Sequence, residues 1–189
     1  MTGRLDACEP PRECLAVRAV CILAAPATEV WALIGDFGGV AAWLPGIEAV
    51  TLTGQGIGAI RVCRTAAGTF RERLTAAETQ SCRYVIDAGP LPVSRYEATL
   101  SVGPWAGGTH CRVVWTSTFT ADGVDDGAAR RRVERIFLAG LGGLCARYGA
   151  APDGSVRLDN IQHQINGCLL VNGAASRSQP GGRSAWPNK

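Results

Sequence analysis

The spacing of apolar residues changes along this chain, and each change predicts a different kind of element. Residues 14–23 are rich in valine and isoleucine and alternate imperfectly, which predicts a first strand. Apolar positions then repeat at helical spacing between Val30 and Phe37, after a proline that suits the first turn of a helix. A second short helix over 39–43 is expected to stop before Pro45, because the residue that precedes a proline resists helical dihedral angles.

From residue 47 onward the apolar period becomes two, which predicts antiparallel strands joined by short turns. The predicted strands cover 47–53, 57–65, 69–77, 82–88, 94–103 and 109–119. A long helix follows over 126–148, where apolar residues form a single stripe. Asp125 or Asp126 would cap its start, and Gly149 would end it. The pattern predicts an α+β fold, a curved sheet of about seven strands around a long C-terminal helix.

The two ends of the chain differ in composition from its middle. Residues 1–13 are polar and contain prolines, which predicts a flexible arm and not a signal peptide. Residues 14–149 hold the strand and helix patterns and are expected to form one domain. Residues 150–189 are rich in Gly, Ser, Asn, Pro and Arg, which predicts a mostly disordered tail. An apolar island at 168–171 leaves the alternative of docking on the domain or on a second subunit, so a homodimer stays open.

Composition limits the classes of function. Hydrophobic residues make up 47% of the chain, as in ordinary globular proteins, and a net charge of +3 indicates neither nucleic acid nor a membrane surface as partner. The apolar stretch over 19–34 is broken by Pro26 and Glu29, so no membrane span is predicted. The 8 cysteines are scattered without a C-x-x-C pair, which favours free thiols in a reducing cytoplasm. With only His110 and His163 present, we predict no metal site and no cofactor.

Several short motifs carry a resemblance to a known superfamily. They are Ala25-Pro26-x-x-x-Val30-Trp31, Asp36-Phe37, Trp43-Leu44-Pro45, Gly56-x-Gly58-x-x-Arg61, Glu72-Arg73-Leu74, Pro90-Leu91-Pro92-Val93 with Tyr96, and Val114-Trp115 ahead of Phe119. In this order they resemble the bacterial polyketide-cyclase/dehydrase-like branch of the START (SRPBCC, helix-grip) superfamily, over about residues 14–148. The resemblance implies a hydrophobic small-molecule ligand, because members bind lipids, hormones or polyketides. Some members catalyse cyclisation, dehydration or condensation, and the fold alone does not choose among these.

Strand parity predicts which side chains face the long helix. If Ala66 and Ala67 form a two-residue hairpin turn, Arg61 lies opposite Glu72. That face of the hairpin is the more apolar one, so we expect it to line a cavity under the helix. The same parity in the later strands points Tyr84, Tyr96, Leu100, Trp115, Ser117 and Phe119 inward.

Two functions follow from this lining and stay open. In the first, the protein is a lyase or isomerase that cyclises or dehydrates a polyketide-like carbonyl compound. Arg61 would then bind an oxygen of the substrate and Glu72 would move a proton, with Tyr84 and Tyr96 as hydrogen-bond donors to an oxyanion. In the second, the protein is a non-catalytic carrier or sensor, and the Arg61–Glu72 pair is equally open to a purely structural interpretation. The predicted ligand-binding side chains are Trp43, Phe70, Leu100, Trp115, Ser117, Phe119, Phe137 and Leu141.

The surroundings of the expected cavity give three smaller predictions. Trp43, Pro45 and the stiff segment 90–92 are expected at its mouth. Each glycine inside the long helix lowers helix stability by roughly 1 kcal/mol relative to alanine, so Gly140, Gly142 and Gly143 are expected to have a compensating role. Of the two possible roles, we favour open volume for a ligand over close packing on the sheet. The arginine run 130–132 is expected to be a solvated helix face, with docking to an acidic carrier protein as the alternative.

Overall fold

A computed structural model describes residues 13–151 and 156–159 of the chain. The first part contains strand β1 (Leu15–Leu23), helix α1 (Ala27–Ile34) and a 3-10 turn (Val40–Ala42). The second part contains β2 (Ile47–Thr53), β3 (Ile60–Thr65), β4 (Gly68–Glu78), β5 (Ser81–Ala88), β6 (Val93–Trp105), a 3-10 turn (Ala106–Gly108) and β7 (His110–Ala121). The last elements are helix α2 (Asp126–Tyr148) and strand β8 (Arg157–Asp159).

The strands form one antiparallel sheet in the order β2-β3-β4-β5-β6-β7-β1-β8, curved around helix α2. This confirms the predicted α+β class and the helix-grip order of elements. Most predicted bounds agree with the observed ones to within two residues. The strand predicted over 57–65 starts later, at Ile60, because Gly54, Gly56 and Gly58 have positive φ angles and form a loop.

The eighth strand was not predicted. Arg157–Asp159 pairs with β1, and Arg18 Nε lies 3.2 Å from Asp159 Oδ2. These residues belong to the segment that the sequence predicts to be a mostly disordered tail. Three residues are too short for a periodic signal, but they cover an otherwise open edge of β1. The remaining tail with its apolar island, and the arm over residues 1–12, lie outside the described residues.

Helix α2 has the predicted bounds and the predicted apolar stripe. The Asp125 side chain accepts a hydrogen bond of 2.8 Å from the backbone N–H of Ala128, and Gly149 ends the helix with a φ of 77°. The stripe is buried against β1 and β7, and its fully buried members are Val133, Phe137, Leu141 and Leu144. No helix among the described residues is both long and apolar enough to cross a membrane.

The prediction of open volume at the helix glycines is wrong for two of the three. A Cβ atom on Gly140 would lie 2.8 Å from the Trp115 ring and 3.0 Å from Leu44. A Cβ atom on Gly143 would lie 3.0 Å from the Trp43 carbonyl oxygen. These glycines therefore let the helix approach the core closely. Gly142 has nothing within 4 Å of such an atom, so its missing side chain is not required by packing.

We expect alanine at these glycines to change stability in opposite directions. Gly140→Ala should be destabilising. Overpacking of the core costs roughly 1–3 kcal/mol, which exceeds the roughly 1 kcal/mol that the higher helix propensity of alanine contributes. Gly142→Ala gains the propensity without the clash and should raise the free energy of unfolding. Urea denaturation of both variants measures this. Equal changes at the two positions would contradict the close packing at Gly140.

The chain should also lose stability when β8 is removed. We expect a chain that ends at Ala151 to melt about 2–4 °C below one that ends at Asp159, a difference of about 1 kcal/mol for a protein of this size. The reason is that β8 pairs the outer edge of β1. Thermal denaturation of the two chains compares them directly. Coincident melting curves would show that β8 adds nothing to the fold.

Candidate functional site

A cavity of about 590 Å³ lies between the inner face of the sheet and helix α2. Its volume falls within the range of small-molecule pockets, roughly 300–1,000 Å³. Strands β3, β4 and β5 supply most of its wall on the sheet side, helix α2 supplies the opposite side, and the connecting loops supply the rest. Apolar side chains from these elements dominate the lining, among them Val40, Leu44, Ile47, Phe70, Ile86, Leu91 and Ile136.

Two loops pack against each other at the rim of the cavity. The turn at Ala66 and Ala67 and the segment 90–92 both line it, together with Pro45. A Cβ atom on Gly68 would lie 3.3 Å from the Pro90 ring, so the two loops are in close contact. Pro45 and the proline segment thus line the cavity, whereas Trp43, which was expected beside them at the mouth, does not.

A buried ion pair joins β3 to β4 inside the cavity. The register pairs Arg61 with Glu72, as predicted, and Arg61 Nε lies 2.5 Å from Glu72 Oε2. Arg61 also donates to the Phe37 carbonyl oxygen at 3.1 Å. Its guanidinium carbon lies 4.3 Å from the Phe37 ring centroid and 4.9 Å from that of Tyr84. Two hydrogen bonds and two aromatic rings therefore fix the cation in one place.

The carboxylate of Glu72 keeps one oxygen available. Oε2 accepts from Arg61 and lies 3.8 Å from the Cys63 thiol, which can donate to it. Burial, with the nearby Glu72 charge, raises the pKa of Cys63 to about 11, so the thiol stays protonated at neutral pH. Among the described residues, no hydrogen bond reaches Oε1, and Glu72 lines the cavity. A ligand hydroxyl or an acidic C–H can therefore meet a free carboxylate oxygen.

Two tyrosines add neutral donors to this polar cluster. Tyr84 and Tyr96 are buried, line the cavity and have ring centroids 6.5 Å apart. Burial raises the pKa of both hydroxyls above the ordinary value, so they remain O–H groups at any physiological pH. The Trp115 indole N–H donates to Tyr84 Oη at 3.1 Å, and the Tyr84 hydroxyl is in turn hydrogen-bonded to that of Tyr96. These phenols can donate a hydrogen bond but cannot act as bases.

Irregular backbone accompanies the inward polar residues. The β4–β5 register shifts between Arg71 and Glu72, and the β6–β7 register shifts between Ser94 and Glu97. Within the second irregularity, Arg95 has a φ of 53°, an uncommon conformation for a residue with a side chain. Such bulges redirect neighbouring side chains, and here they border Glu72 and Tyr96.

The predicted ligand-binding residues divide into two groups. Phe70 and Trp115 line the cavity. The others are buried in the surrounding core and do not line it: Trp43, Leu100, Ser117, Phe119, Phe137 and Leu141. Several of them support the wall, as when Phe137 stacks on Trp115 with ring centroids 4.2 Å apart. Parity identifies inward side chains, but it does not distinguish those next to empty space from those packed behind.

One face of helix α2 lines the cavity and was missed by the sequence analysis. Its members are Arg132, Arg135, Ile136 and Ala139. The spacing of three and four residues is the signal that could have found this face. Arg132 belongs to the run that the sequence predicts to be a solvated helix face; it is exposed, and it also lines the cavity.

Solved structures similar to this chain share its fold. A solution NMR structure from Thermobifida fusca is 33% identical, with a TM-score of 0.60, and the match covers 71% of this chain and 93% of that one. An uncharacterised protein from Bacillus thuringiensis is 29% identical, with a TM-score of 0.66, over 70% of this chain and 98% of that one. The Zhui aromatase/cyclase from Streptomyces sp. R1128 is 18% identical, with a TM-score of 0.60, over 71% and 93%. A search of curated proteins finds no match.

A family model matches most of the described chain. It covers residues 15–149, from the first residue of β1 to the residue that ends α2. The match thus includes all of the strands and helices that enclose the cavity, and it leaves β8 outside. The chain belongs to the polyketide cyclase/dehydrase and lipid transport family.

Proposed function

We propose that this protein binds an apolar small molecule that carries an oxygen-containing group. The observation that supports this most is the cavity of about 590 Å³, whose apolar walls enclose a small cluster of polar side chains. Pockets of this kind obtain affinity from apolar contact and orientation from a few placed polar groups.

The polar cluster suits a ligand oxygen in particular. The hydrogen-bonded pair of Tyr84 and Tyr96 offers an O–H donor to a carbonyl or ether oxygen, whereas Oε1 of Glu72 offers an acceptor to a hydroxyl. Arg61 is held by Glu72 and by the Phe37 carbonyl, so the cluster is organised before a ligand arrives. A preformed site loses less entropy on binding than one that must order its side chains.

The neutral fluorescent probe N-phenyl-1-naphthylamine tests this proposal. We expect saturable binding to the full chain, and Ala139→Trp should weaken it roughly tenfold, or about 1.4 kcal/mol, by filling the cavity from the helix side. Leu138→Trp is the matched control, because Leu138 is the neighbouring residue, is exposed and does not line the cavity. Probe fluorescence during titration gives both dissociation constants. The proposal fails if the probe does not bind, or if both variants bind it as the parent does.

A second candidate function is acid/base catalysis on a bound carbonyl compound. It is favoured by the free Oε1 of Glu72, which lies in the same cavity as two phenols that stay protonated. In the simplest reaction Glu72 removes a proton from the carbon next to the carbonyl, and the C–H electron pair moves to form an enolate. A tyrosine O–H would stabilise the enolate oxygen. Return of the proton from Glu72 to carbon restores the ligand. In a ligand with a second carbonyl group, the enolate carbon attacks that carbonyl carbon instead, the C=O electron pair moves to oxygen and takes the proton from Glu72, and a ring with a new hydroxyl group results.

Deuterium exchange tests that chemistry without knowledge of the natural ligand. With 2-acetonaphthone in D2O, the protein should speed deuterium incorporation into the methyl group, and Glu72→Gln should lower that rate roughly 10²–10⁴-fold, as loss of a general base does. Glu97→Gln, on the outer face beside Arg83, is the control. NMR follows the exchange, and probe titration checks that Glu72→Gln still has its cavity. Equal rates for all three proteins would leave the protein as a non-catalytic binder.

A further inference from the structure

Two arginines at the cavity have no carboxylate partner among the residues that the structure describes. Arg132 and Arg135 both line the cavity from helix α2, and neither has a hydrogen-bond or ion-pair partner among the described residues. The outward arginines of β3, β4 and β5 differ in this respect. Each lies within 4.0 Å of a carboxylate, in the pairs Arg64–Glu48, Arg71–Asp87, Arg73–Asp87 and Arg83–Glu97.

The charge of the lining is consequently unbalanced. Its ionisable groups include three guanidinium groups, from Arg61, Arg132 and Arg135, and one carboxylate, from Glu72. The opposite charges of Arg61 and Glu72 form a buried ion pair with no net charge. The two remaining positive charges lie on one helix face, three residues apart, where both side chains can reach the same bound group.

Their position separates them from the polar cluster inside. Arg132 and Arg135 are exposed, whereas Arg61 and Glu72 are buried on the opposite wall. A bound molecule that fills the cavity would therefore have its apolar body between helix and sheet and one end beside the two arginines. Arginine forms paired hydrogen bonds to planar oxyanions, and partial exclusion of water strengthens them.

We propose that Arg132 and Arg135 form an anion-binding site at the cavity mouth, and that the ligand is an amphiphile with an acidic head group. This inference rests on the proposed binding function and specifies its ligand class. The head group is an oxyanion, a carboxylate or a phosphate monoester, and the apolar part enters the cavity.

Displacement of N-phenyl-1-naphthylamine from the full chain tests the head group separately from the cavity. The competitors are dodecanoate, dodecyl phosphate and dodecan-1-ol, which share one apolar chain. We expect at least one acidic competitor to bind roughly tenfold more tightly than the alcohol, equivalent to about 1.4 kcal/mol. Raising the salt concentration should reduce this preference, because the arginines are exposed. Whichever of the two acids binds more tightly identifies the type of oxyanion.

Two double variants test whether Arg132 and Arg135 cause the preference for acidic competitors over the alcohol. Arg132→Gln/Arg135→Gln should abolish it, so that the two acids and the alcohol then displace the neutral probe with equal affinity. Arg131→Gln/Arg147→Gln removes the same charge from the same helix at residues that do not line the cavity, and it should retain the preference. Both pairs are exposed, so folding should be unaffected, which melting curves check.

The outcomes separate the two proposals. If the probe binds but all three competitors displace it equally, the anion site is wrong and the binding function stands. The same holds if the two double variants behave alike. If the probe does not bind the parent chain, the binding function fails and the anion site fails with it.

Discussion

The close approach of helix α2 to the sheet at Gly140 determines where this molecule can hold a ligand. Trp115, Leu44 and Trp43 occupy the space that a side chain at this position would take. The helix is therefore in close contact with the core at Gly140 and Gly143, and the cavity of about 590 Å³ borders residues that precede them, from Arg132 to Ala139. Trp115 connects these two regions. Its ring packs on Gly140, where the helix meets the core, and its indole N–H donates a hydrogen bond to Tyr84 in the cavity wall.

The ion pair on the sheet complements this arrangement. Taking Arg61 and Glu72 out of water is unfavourable for each charge, and their mutual contact offsets much of that cost. Such a pair is weak support for stability alone, since apolar residues of similar volume could replace it. The pair lies in the cavity lining with one carboxylate oxygen free, so it is placed to contact a bound ligand.

The sequence predicted strand register and helix bounds well, but it did not predict which inward side chains border the cavity. A two-residue turn at Ala66 and Ala67 was enough to place Arg61 opposite Glu72, because strand pairing propagates register from the turn. Parity could not separate Trp115, beside the cavity, from Phe119, packed behind it, since both point inward from β7. Gly140 was misread for a related reason: a missing side chain looks the same in sequence whether a neighbour or a void takes its place. Only the packing of distant segments decides between these, and no local pattern encodes it.

The high pKa of Cys63 has a consequence for the kind of molecule that the cavity tolerates. Burial and the nearby Glu72 charge raise the pKa of this thiol to about 11, so it stays protonated at neutral pH, and the thiolate is the nucleophilic form. An electrophilic guest, such as an unsaturated ketone, would therefore lie beside a sulfur atom that rarely attacks it. Because Cys63 is buried beside Glu72 and stays protonated, a carbonyl compound in the cavity would form a covalent adduct with this sulfur only slowly.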